Sequence, residues 1–227
     1  MVDERYARNI GAISEAEQEK LRRSRVLVAG CGGLGGGVLS DLLRIGVGSI
    51  TAVDFDRFEE SNLNRQLLCT VNNIGASKAE AAAAYAGEVN PKIRFTAVSE
   101  RFGADNGPGL AAGCDLVVDA LDSFASRRAL AAVCRDAGIT EVYGAISGWS
   151  AQVAVITPDV SDAVMAVICP PEAETGSGSS LSFTPALCSA LQASLAVKLL
   201  LERPTGLEGK LLYIDLLSGE TEKIAII

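Results

Sequence analysis

The sequence predicts an α/β fold built on a doubly wound, mostly parallel Rossmann-like sheet that ends in a C-terminal antiparallel hairpin. Short apolar runs alternate with helical segments between Arg25 and Tyr143, and this rhythm is typical of a parallel sheet with crossover helices. A glycine-rich turn, Gly30–Gly37, joins the first apolar run to the first long helix. Near the end of the chain, two strand-like runs flank Ser218–Gly219, which is the pattern of a hairpin.

The individual elements follow from local patterns. Ser14 precedes a short helix at Glu15–Leu21, and Glu17 lies where it completes a capping box. The apolar run Arg25–Ala29 predicts a buried first strand, and a helix follows the glycine turn at Val38–Ile45. The same kinds of pattern predict strands at Ser49–Asp54, Ile93–Val98, Asp115–Ala120, Ile139–Tyr143, Ala151–Thr157, Leu211–Leu216 and Glu222–Ile226, and helices at Ser77–Val89, Ser126–Ala137 and Thr184–Glu202.

One long segment, Ser161–Ser182, has no regular pattern and contains Pro170–Pro171 and a glycine–serine run. A loop of this length inside a compact domain is usually functional or disordered. After it, Thr184 is predicted to cap the last helix, with Pro185 in its first turn. We therefore predict a single domain over residues 1–227, with a crossover loop at about 161–182.

Composition excludes several classes of protein. The chain has 227 residues, 48% of them apolar, which suffices for one buried core. It has no run of about 18 uncharged apolar residues, so no membrane span is predicted, and the polar, acidic segment Met1–Lys20 resembles neither a signal nor a transit peptide. A net charge of −8 without a basic stripe argues against nucleic-acid binding. Binding of an RNA substrate by a local basic patch is left as an alternative.

Histidine is absent from the sequence, which removes the commonest general base and metal ligand. Six cysteines are present, and no two of them are spaced as C-x-x-C, so no zinc site is predicted. We expect Cys31, Cys114 and Cys134 to be reduced thiols inside the core. A cytoplasmic location fits such thiols best.

The glycine-rich turn carries the first functional signal. Gly30, Gly32 and Gly35 stand in G-x-G-x-x-G order between a strand and a helix, where the backbone can approach a phosphate at the helix N-terminus. A tight turn needed only for packing is the alternative. Asp54, at the end of the second strand, is placed to accept hydrogen bonds from ribose hydroxyls. These features fit NAD and ATP equally well.

Charged residues farther along favour a triphosphate. Arg65 and Lys78 follow the second strand together with the side-chain amides of the Ser61–Gln66 segment, and such groups can neutralise a departing pyrophosphate. Asp122, just after the fourth predicted strand, suits Mg²⁺, which usually takes one or two carboxylates plus phosphate oxygens. Capping of the following helix by Asp122 or Ser123 is the alternative, and Asp119 is expected to be structural.

In order and spacing, these motifs resemble the MoeB/ThiF/HesA family, relatives of the ubiquitin-activating enzymes. The resemblance covers nearly the whole chain and is carried by Arg5-Tyr6-Ala7-Arg8, Gly30–Gly35, Asp54–Asp56, Ser61–Gln66, Gly75–Lys78, Asn90–Pro91 and Asp119–Ser123. It implies a homodimeric adenylyltransferase that uses ATP and Mg²⁺ to activate the C-terminal Gly-Gly carboxylate of a ubiquitin-like sulfur-carrier protein. The product would be an acyl-adenylate that serves molybdenum- or tungsten-cofactor or thiamine synthesis.

The resemblance also implies roles for individual residues. Arg65 and Lys78 would stabilise transition-state charge, Asp122 would hold Mg²⁺, and Arg8 would reach the triphosphate bound to the partner subunit. Arg5 and Tyr6 are expected to be structural. The nucleotide site would be formed by Gly30, Gly32, Gly33, Gly35, Asp54, Asn62, Arg65, Gln66, Lys78, Asp122 and Ser123.

The chain departs from the family in its cysteines. Many relatives carry two C-x-x-C pairs for zinc, but here only Cys169 lies near the first pair. Several relatives also have a cysteine in the loop before the last long helix. In this chain the corresponding segment, Glu174–Ser182, has none, and Thr175 falls roughly where it would be. Neither zinc nor a covalent step on this loop is therefore expected, and Cys188 is expected to belong to the core.

Other functions remain open at this stage. The same ATP site would serve a small-molecule carboxylate, or the modified tRNA base handled by related dehydratases. Two functions of a different class would use the same fold: NAD(P) binding, or a non-catalytic scaffold. The joint presence of Arg65, Lys78 and Asp122 argues against a scaffold.

Overall fold

The structure, a computed structural model, describes residues 2–172 and 178–227. The strands are β1 Arg25–Ala29, β2 Ser49–Val53, β3 Arg94–Val98, β4 Leu116–Asp119, β5 Glu141–Ser147, β6 Ser150–Ile156, β7 Lys210–Asp215 and β8 Glu220–Ala225. The helices are α1 Glu15–Arg23, α2 Gly33–Ile45, α3 Lys78–Val89, α4 Gly107–Ala111, α5 Phe124–Ala137, α6 Ser161–Ile168 and α7 Phe183–Leu200. Short 3₁₀ helices occupy Glu4–Asn9 and Glu60–Asn62.

The strands form one eight-stranded sheet in the order β3-β2-β1-β4-β5-β6-β7-β8. The first five strands in chain order are parallel, and β6, β7 and β8 add antiparallel pairs. This confirms the predicted fold class. From β1 the chain winds outward to β3 and then returns to β4 on the other side of β1, so a crevice opens at the carboxyl ends of β1 and β4.

Both faces of the parallel part of the sheet are covered, and the alternation of side chains along each strand supplies residues to both. Val26 and Val28 of β1 belong to a core formed with α2, α3 and α7. Leu27 and Ala29 point the other way, into a core formed with α4 and α5. A third cluster around Tyr143 joins α5 and α6 to β5 and β6.

Helix α7 is long and apolar enough to cross a membrane, but half of its residues are buried inside the domain. It packs against α2, β5 and β6. The Gln192 amide Nε2 donates to the backbone oxygens of Asp119 at 2.6 Å and Val142 at 3.3 Å. These contacts identify α7 as a core helix of this fold.

The glycine turn is shorter than predicted, because α2 begins at Gly33 rather than at Val38. Low intrinsic helix propensity predicts a turn through Gly33–Gly37, but close packing overrides it. A Cβ on Gly37 would overlap the Ser189 side chain of α7, and one on Gly35 would overlap the carbonyl oxygen of Gly30. The glycines are helical because they let α2 approach its neighbours without side chains between them.

The crossover segment is also more regular than predicted. Ser161–Ile168 forms α6, and its Val164 and Met165 are buried against the sheet, so the irregular interpretation of this part of 161–182 is wrong. The amphipathic pattern is only two turns long, which made it easy to miss. Glu174 and Thr175 lie outside the described residues.

Two further boundaries differ. β5 runs to Ser147 instead of Tyr143, because its last residues pair with β6. Thr184 does not cap α7; it lies inside the helix, and its hydroxyl donates to the Gly148 oxygen at 2.8 Å. Both differences arise from tertiary partners that local sequence patterns do not contain.

A buried amide, that of Asn90, helps to hold the N-terminal 3₁₀ helix against the domain. The Asn90 Nδ2 donates to the Tyr6 hydroxyl at 2.7 Å and to the Leu43 oxygen at 2.8 Å, and Arg5 donates to its Oδ1. The predicted structural role of Arg5 and Tyr6 is thereby confirmed. Arg8, in the same segment, is exposed.

Candidate functional site

A cavity of about 710 Å³ follows the carboxyl ends of the parallel strands. Its wall runs from the loops after β3 and β2, past the glycine turn after β1, to the loop after β4 and the paired ends of β5, β6 and β7. It brings together eight of the predicted site residues: Gly30, Gly32, Gly33, Asp54, Arg65, Gln66, Lys78 and Asp122.

The glycine turn is formed by close contacts between backbone atoms, with no side chains between them. Gly30 has φ +100°, and a Cβ there would overlap the Ala120 oxygen after β4. Gly35 does not line the cavity; its lack of a side chain lets the first turn of α2 lie directly on Gly30. Gly32 and Gly33 open the helix. The amides of a first helical turn have no partner within the helix, so they are available to an anion.

Asp54 connects the end of β2 to this turn. Its Oδ2 accepts a hydrogen bond from the Cys31 amide at 2.7 Å, and its Oδ1 accepts one from the Asp56 amide at 2.8 Å. Burial raises the pKa of the Asp54 carboxyl, and these two amides and Lys78 oppose that rise. The carboxylate also lines the cavity, where its remaining lone pairs can accept hydrogen bonds from ribose hydroxyls.

Lys78 supplies a cation to the same wall. It is the first residue of α3, its side chain is buried, and its ammonium lies 3.2 Å from the Asp56 Oδ2. Its backbone amide donates to the Asp56 oxygen at 3.0 Å. The ion pair and this hydrogen bond fix the ammonium beside Asp54 and the glycine turn.

Arg65 and Gln66 lie against the glycine turn. The Arg65 Nη1 donates to the Ser61 oxygen at 2.9 Å and to the Asn64 Oδ1 at 2.8 Å. The Gln66 side chain packs on Gly32, and its Oε1 is buried with no hydrogen-bond partner among the described residues. A buried acceptor without a partner is rare in folded proteins, so this atom indicates a place for a ligand or an ordered water.

Three other predicted site residues lie elsewhere. The Asn62 Oδ1 accepts a hydrogen bond from the Glu59 amide at 3.1 Å, and Ser123 caps α5 by accepting from the Ser126 amide at 3.2 Å. Arg8 belongs to the N-terminal segment, outside the cavity wall. In this chain, Asn62 and Ser123 are therefore capping residues. Their contact with a nucleotide, like that of Arg8, stays a prediction.

A buried ion pair holds the loop that carries Asp122. Asp119 is fully buried; its Oδ2 lies 3.1 Å from the Arg127 Nη1, and its Oδ1 accepts from the Leu121 amide at 2.9 Å. Arg127 also donates to the backbone oxygens of Leu121 and Gly144. These bonds hold the loop after β4, and they confirm the structural role predicted for Asp119. Asp122 has no hydrogen bond or ion pair within the described residues, so it faces the cavity ready for a cation.

The other half of the cavity was not predicted. Tyr143, Gln152 and Tyr213 come from β5, β6 and β7, and they lie on one face because Gln152 pairs with Tyr213 and lies diagonally across from Tyr143. The Gln152 Nε2 donates to the Tyr143 hydroxyl at 3.1 Å. The Tyr213 and Ser150 hydroxyls are 2.8 Å apart. No local motif marks these residues, since their proximity depends on the register of antiparallel strands.

The arrangement suits a transfer reaction between two substrates. The helix amides, Lys78 and Arg65 can hold a polyanion, and Asp122 can take a divalent cation bridged to it. The polar surface of β5–β7 leaves room for a second substrate in the same cavity.

Comparison with known proteins gives a consistent result. The model of the ThiF family matches residues 6–226. The chain is 36% identical to the SAMP-activating enzyme E1 of Haloferax volcanii, over 97% of this chain and 84% of that protein. It is 35% identical to the sulfur carrier protein adenylyltransferase of Thermus thermophilus, over 92% of this chain and 81% of that protein.

Among solved structures, the chain is similar in fold to E. coli MccB crystallised with AMPCPP and MccA. The TM-score is 0.83 at 21% sequence identity, over 99% of this chain and 72% of that chain.

The contact between α2 and Gly30 yields a stability prediction. Gly35→Ala should lower the free energy of unfolding by about 1–3 kcal/mol, because its methyl group must displace backbone. Gly87→Ala is the matched control: it lies in α3 with open space around it, and alanine should there be neutral or stabilising by about 0.5–1 kcal/mol. Urea denaturation of both variants measures this. Equal effects of the two substitutions would contradict the proposed contact.

Proposed function

Because the chain belongs to the ThiF family, we propose that it is an ATP-dependent adenylyltransferase that activates the C-terminal carboxylate of a ubiquitin-like sulfur-carrier protein. The observation that carries the proposal is the single cavity that unites both halves of this reaction. One half offers the glycine turn, Arg65, Lys78 and Asp122, and the other offers a polar surface at the ends of β5–β7.

The chemistry requires positioning and charge more than proton transfer. An oxygen of the acceptor carboxylate attacks the α-phosphorus of ATP, and the bond to the β-phosphate bridging oxygen breaks as pyrophosphate leaves. A carboxylate is already ionised at pH 7, so no general base is needed, in agreement with a sequence that has no histidine. The backbone amides at Gly32 and Gly33, together with Arg65 and Lys78, stabilise the charge on the phosphates.

Magnesium is part of the proposal, with Asp122 as its protein ligand. The free carboxylate facing the phosphate side of the cavity fits an ion that takes most of its oxygens from phosphates and water. When bound, Mg²⁺ neutralises charge on the triphosphate. The position of Asp122 depends on the Asp119–Arg127 pair described above.

Exposed apolar residues at the mouth of the cavity favour a protein acceptor over a small carboxylate. The rings of Trp149 and Phe183 lie 5.0 Å apart, and both are exposed beside the lining residues Ser179 and Ser180. Leu217, in the turn after β7, is 71% exposed, and the Trp149 oxygen accepts a hydrogen bond from the neighbouring Leu216 amide. A folded carrier with an apolar face would cover this rim, whereas a small molecule would leave it in water.

Hydrogen bonds hold Ser179 and Ser180 at the edge of the cavity, where the carrier's tail would enter. The Gly148 amide donates to the Ser179 oxygen at 2.8 Å, and the Asn64 Nδ2 donates to the Ser180 oxygen at 3.1 Å. These bonds hold the start of the segment that leads into α7 against the cavity edge. A Gly-Gly terminus, which lacks side chains, is the end that we propose for the acceptor.

We further propose a homodimer. The loop that follows the 3₁₀ helix Glu60–Asn62 carries Arg65, and it also exposes Leu67, Val71 and Ile74, with Val71 74% exposed. A second copy packed there would bury this patch. In this dimer we propose that the exposed Arg8 of one subunit reaches the triphosphate bound by the other, as the family resemblance implies.

Removal of the charged site residues tests the function. Asp122→Ala and Arg65→Ala should each lower carrier-dependent ATP–pyrophosphate exchange on the order of 10²-fold or more, because each removes a charge that stabilises the transition state. The matched controls are Asp105→Ala and Arg94→Ala, two exposed residues outside the cavity. Circular dichroism should show all four variants folded. Near-normal exchange by both site variants, or tighter binding of NADH than of MgATP in calorimetry, would refute the assignment.

The cysteines give a second prediction. Burial raises the pKa of the Cys169 thiol to about 11 and that of the Cys188 thiol to about 12, so both stay protonated at pH 7–8 and are poor nucleophiles. The double variant Cys169→Ser/Cys188→Ser should keep wild-type pyrophosphate exchange and release the acyl-adenylate to a separate sulfur donor. Loss of exchange in a folded double variant would show that one of these two thiols takes part in the reaction.

Subunit mixing tests the position of Arg8. If Arg8 acts across the dimer, an Arg8→Ala subunit paired with an Arg65→Ala subunit forms one working site, from the intact Arg65 of the first and the intact Arg8 of the second. Statistical exchange should then restore roughly a quarter of the wild-type activity. Each variant alone should stay inactive. No recovery, with subunit exchange verified by mass spectrometry of tagged chains, would show that Arg8 does not act in trans.

A further inference from the structure

Gln192, in the middle of α7, is a polar side chain that the protein buries completely, and it does not line the cavity. Its Oε1 has no hydrogen-bond partner among the described residues, and a buried acceptor without a partner costs free energy. A methionine would fill much the same space without that cost. The feature that distinguishes glutamine at this position is therefore its amide nitrogen, which carries two N–H donors.

This amide nitrogen bridges the end of β4 to β5. The Gln192 Nε2 donates to the Asp119 oxygen at 2.6 Å and to the Val142 oxygen at 3.3 Å. β4 ends at Asp119, whereas β5 continues to Ser147 in pairing with β6. Gln192 therefore joins the two strands at the point where the chain of β4 leaves the sheet.

The bond to Asp119 fixes one particular peptide unit, the one that links Asp119 to Ala120. Its oxygen accepts from Gln192, and its N–H, that of Ala120, donates to the Ala29 oxygen of β1 at 2.9 Å. Because a peptide unit is planar, hydrogen bonds at both of its ends fix its orientation. This peptide is the first link of the loop that carries Asp122 to the cavity.

The same loop is held from the other face of the sheet by Arg127 of α5. Arg127 pairs with the Asp119 carboxylate and donates to the backbone oxygens of Leu121 and Gly144. Helix α7 packs in the core on one face and α5 in the core on the other. The loop after β4 is therefore held from both faces, and Gln192 is the contact on the α7 side.

We propose that Gln192 is a positioning residue: by fixing the Asp119–Ala120 peptide, it sets the direction in which the loop after β4 leaves the sheet and so holds Asp122 at the cavity wall. This inference rests on the proposed adenylyltransferase function and adds a residue that acts without touching a substrate. Asp122 has no hydrogen bond or ion pair within the described residues, so its place depends on the backbone that carries it. A displacement of about 1 Å in a reacting arrangement can lower a rate by roughly 10²-fold.

The first measurement is amide hydrogen exchange in the nucleotide-free protein, followed by NMR. Gln192→Met removes the donors and roughly keeps the volume of the side chain. Because the Asp119–Ala120 peptide then loses one of its two partners, the amides of Ala120 and Leu121 should exchange roughly tenfold faster relative to that of Val28 in β1.

The second measurement is carrier-dependent ATP–pyrophosphate exchange. Gln192→Met should lower kcat about tenfold, because Asp122 is displaced, and should leave the KM for the carrier unchanged. Added to Asp122→Ala, the same substitution should lower the rate by less than about twofold more. A residue that acts through Asp122 has nothing left to position once that carboxylate is gone, so the two effects are not additive.

Two further variants separate positioning from a general loss of stability. Leu195→Ala removes a buried side chain of the same helix that belongs to the core. It should lower resistance to urea but leave kcat, and the exchange of Ala120 relative to Val28, at the wild-type values. Gly144→Ala keeps Gln192 but forces its amide off the two oxygens, since a Cβ at residue 144 would overlap that amide. It should reproduce both effects of Gln192→Met, and it supplies the test if Gln192→Met does not fold.

Three results would overturn the proposal. The first is unchanged exchange of the Ala120 and Leu121 amides in the folded variants. The second is a loss of rate from Gln192→Met that is fully additive with that from Asp122→Ala. The third is an equal loss of kcat in Leu195→Ala, which would show that stability alone is responsible. Absence of pyrophosphate exchange in the wild-type protein would instead refute the proposed function, whereas the hydrogen-exchange rates would still show whether Gln192 holds the loop.

Discussion

The structure depends on one close approach, in which the first turn of α2 lies directly on the backbone at the end of β1. Gly35 meets Gly30 with no side chain between them, and Gly30 in turn lies against the Ala120 oxygen after β4. This contact aims the N-terminus of α2 at the carboxyl edge of the sheet. The Asp54 carboxylate then binds the Cys31 amide and ties the end of β2 to the same turn. The phosphate side of the cavity is thus made of backbone held on three strands, and any added methyl group in α2 at this point would push its walls apart.

Charge is distributed in the site according to burial. The fully buried Asp119 is neutralised by Arg127 and serves the loop, whereas Asp122, three residues later, has no partner in the described structure and faces the cavity. Lys78 is held near Asp56 but remains at the cavity wall. Glu141 lies deeper, fully buried near Arg127, and burial together with the charge of Asp119 raises its pKa well above the ordinary value. A shift in this direction favours the neutral acid, which adds no charge to the Asp119–Arg127 pair behind the site.

Much of the nucleotide half follows from sequence, because its signals are local. The glycine spacing, Asp54 at a strand end, and the capping box at Ser14 each involve neighbours in the chain, and the structure has them where the patterns predict. Asn62 and Ser123 show the limit of this reasoning, since a short polar side chain at a helix start serves equally well as a cap or as a ligand contact.

The acceptor half was missed for a different reason. Gln152 and Tyr213 become neighbours only through strand register. Helix α6 is too short to stand out from a segment rich in glycine and proline. The early start of α2 shows tertiary packing overriding intrinsic helix propensity. Glycine disfavours a helix, but the close contact with the end of β1 requires glycines there.

Along the order of strands, the sheet changes from parallel to antiparallel. This change separates the part that would bind the nucleotide from the part that would bind the acceptor. In the proposed arrangement, the nucleotide contacts made by the subunit's own cavity follow β1, β2 and β4. The surface offered to the acceptor lies on β5–β7, which are joined by one hairpin and by the segment that contains α6 and α7. Residues on the cavity face of β5–β7 can therefore change while the backbone that holds the nucleotide stays in place. Because α7 lies between β6 and β7 in the chain and packs on α2, with Gln192 donating to the Asp119 oxygen, a graft that retargets the acceptor must keep α7 and exchange only those strand side chains.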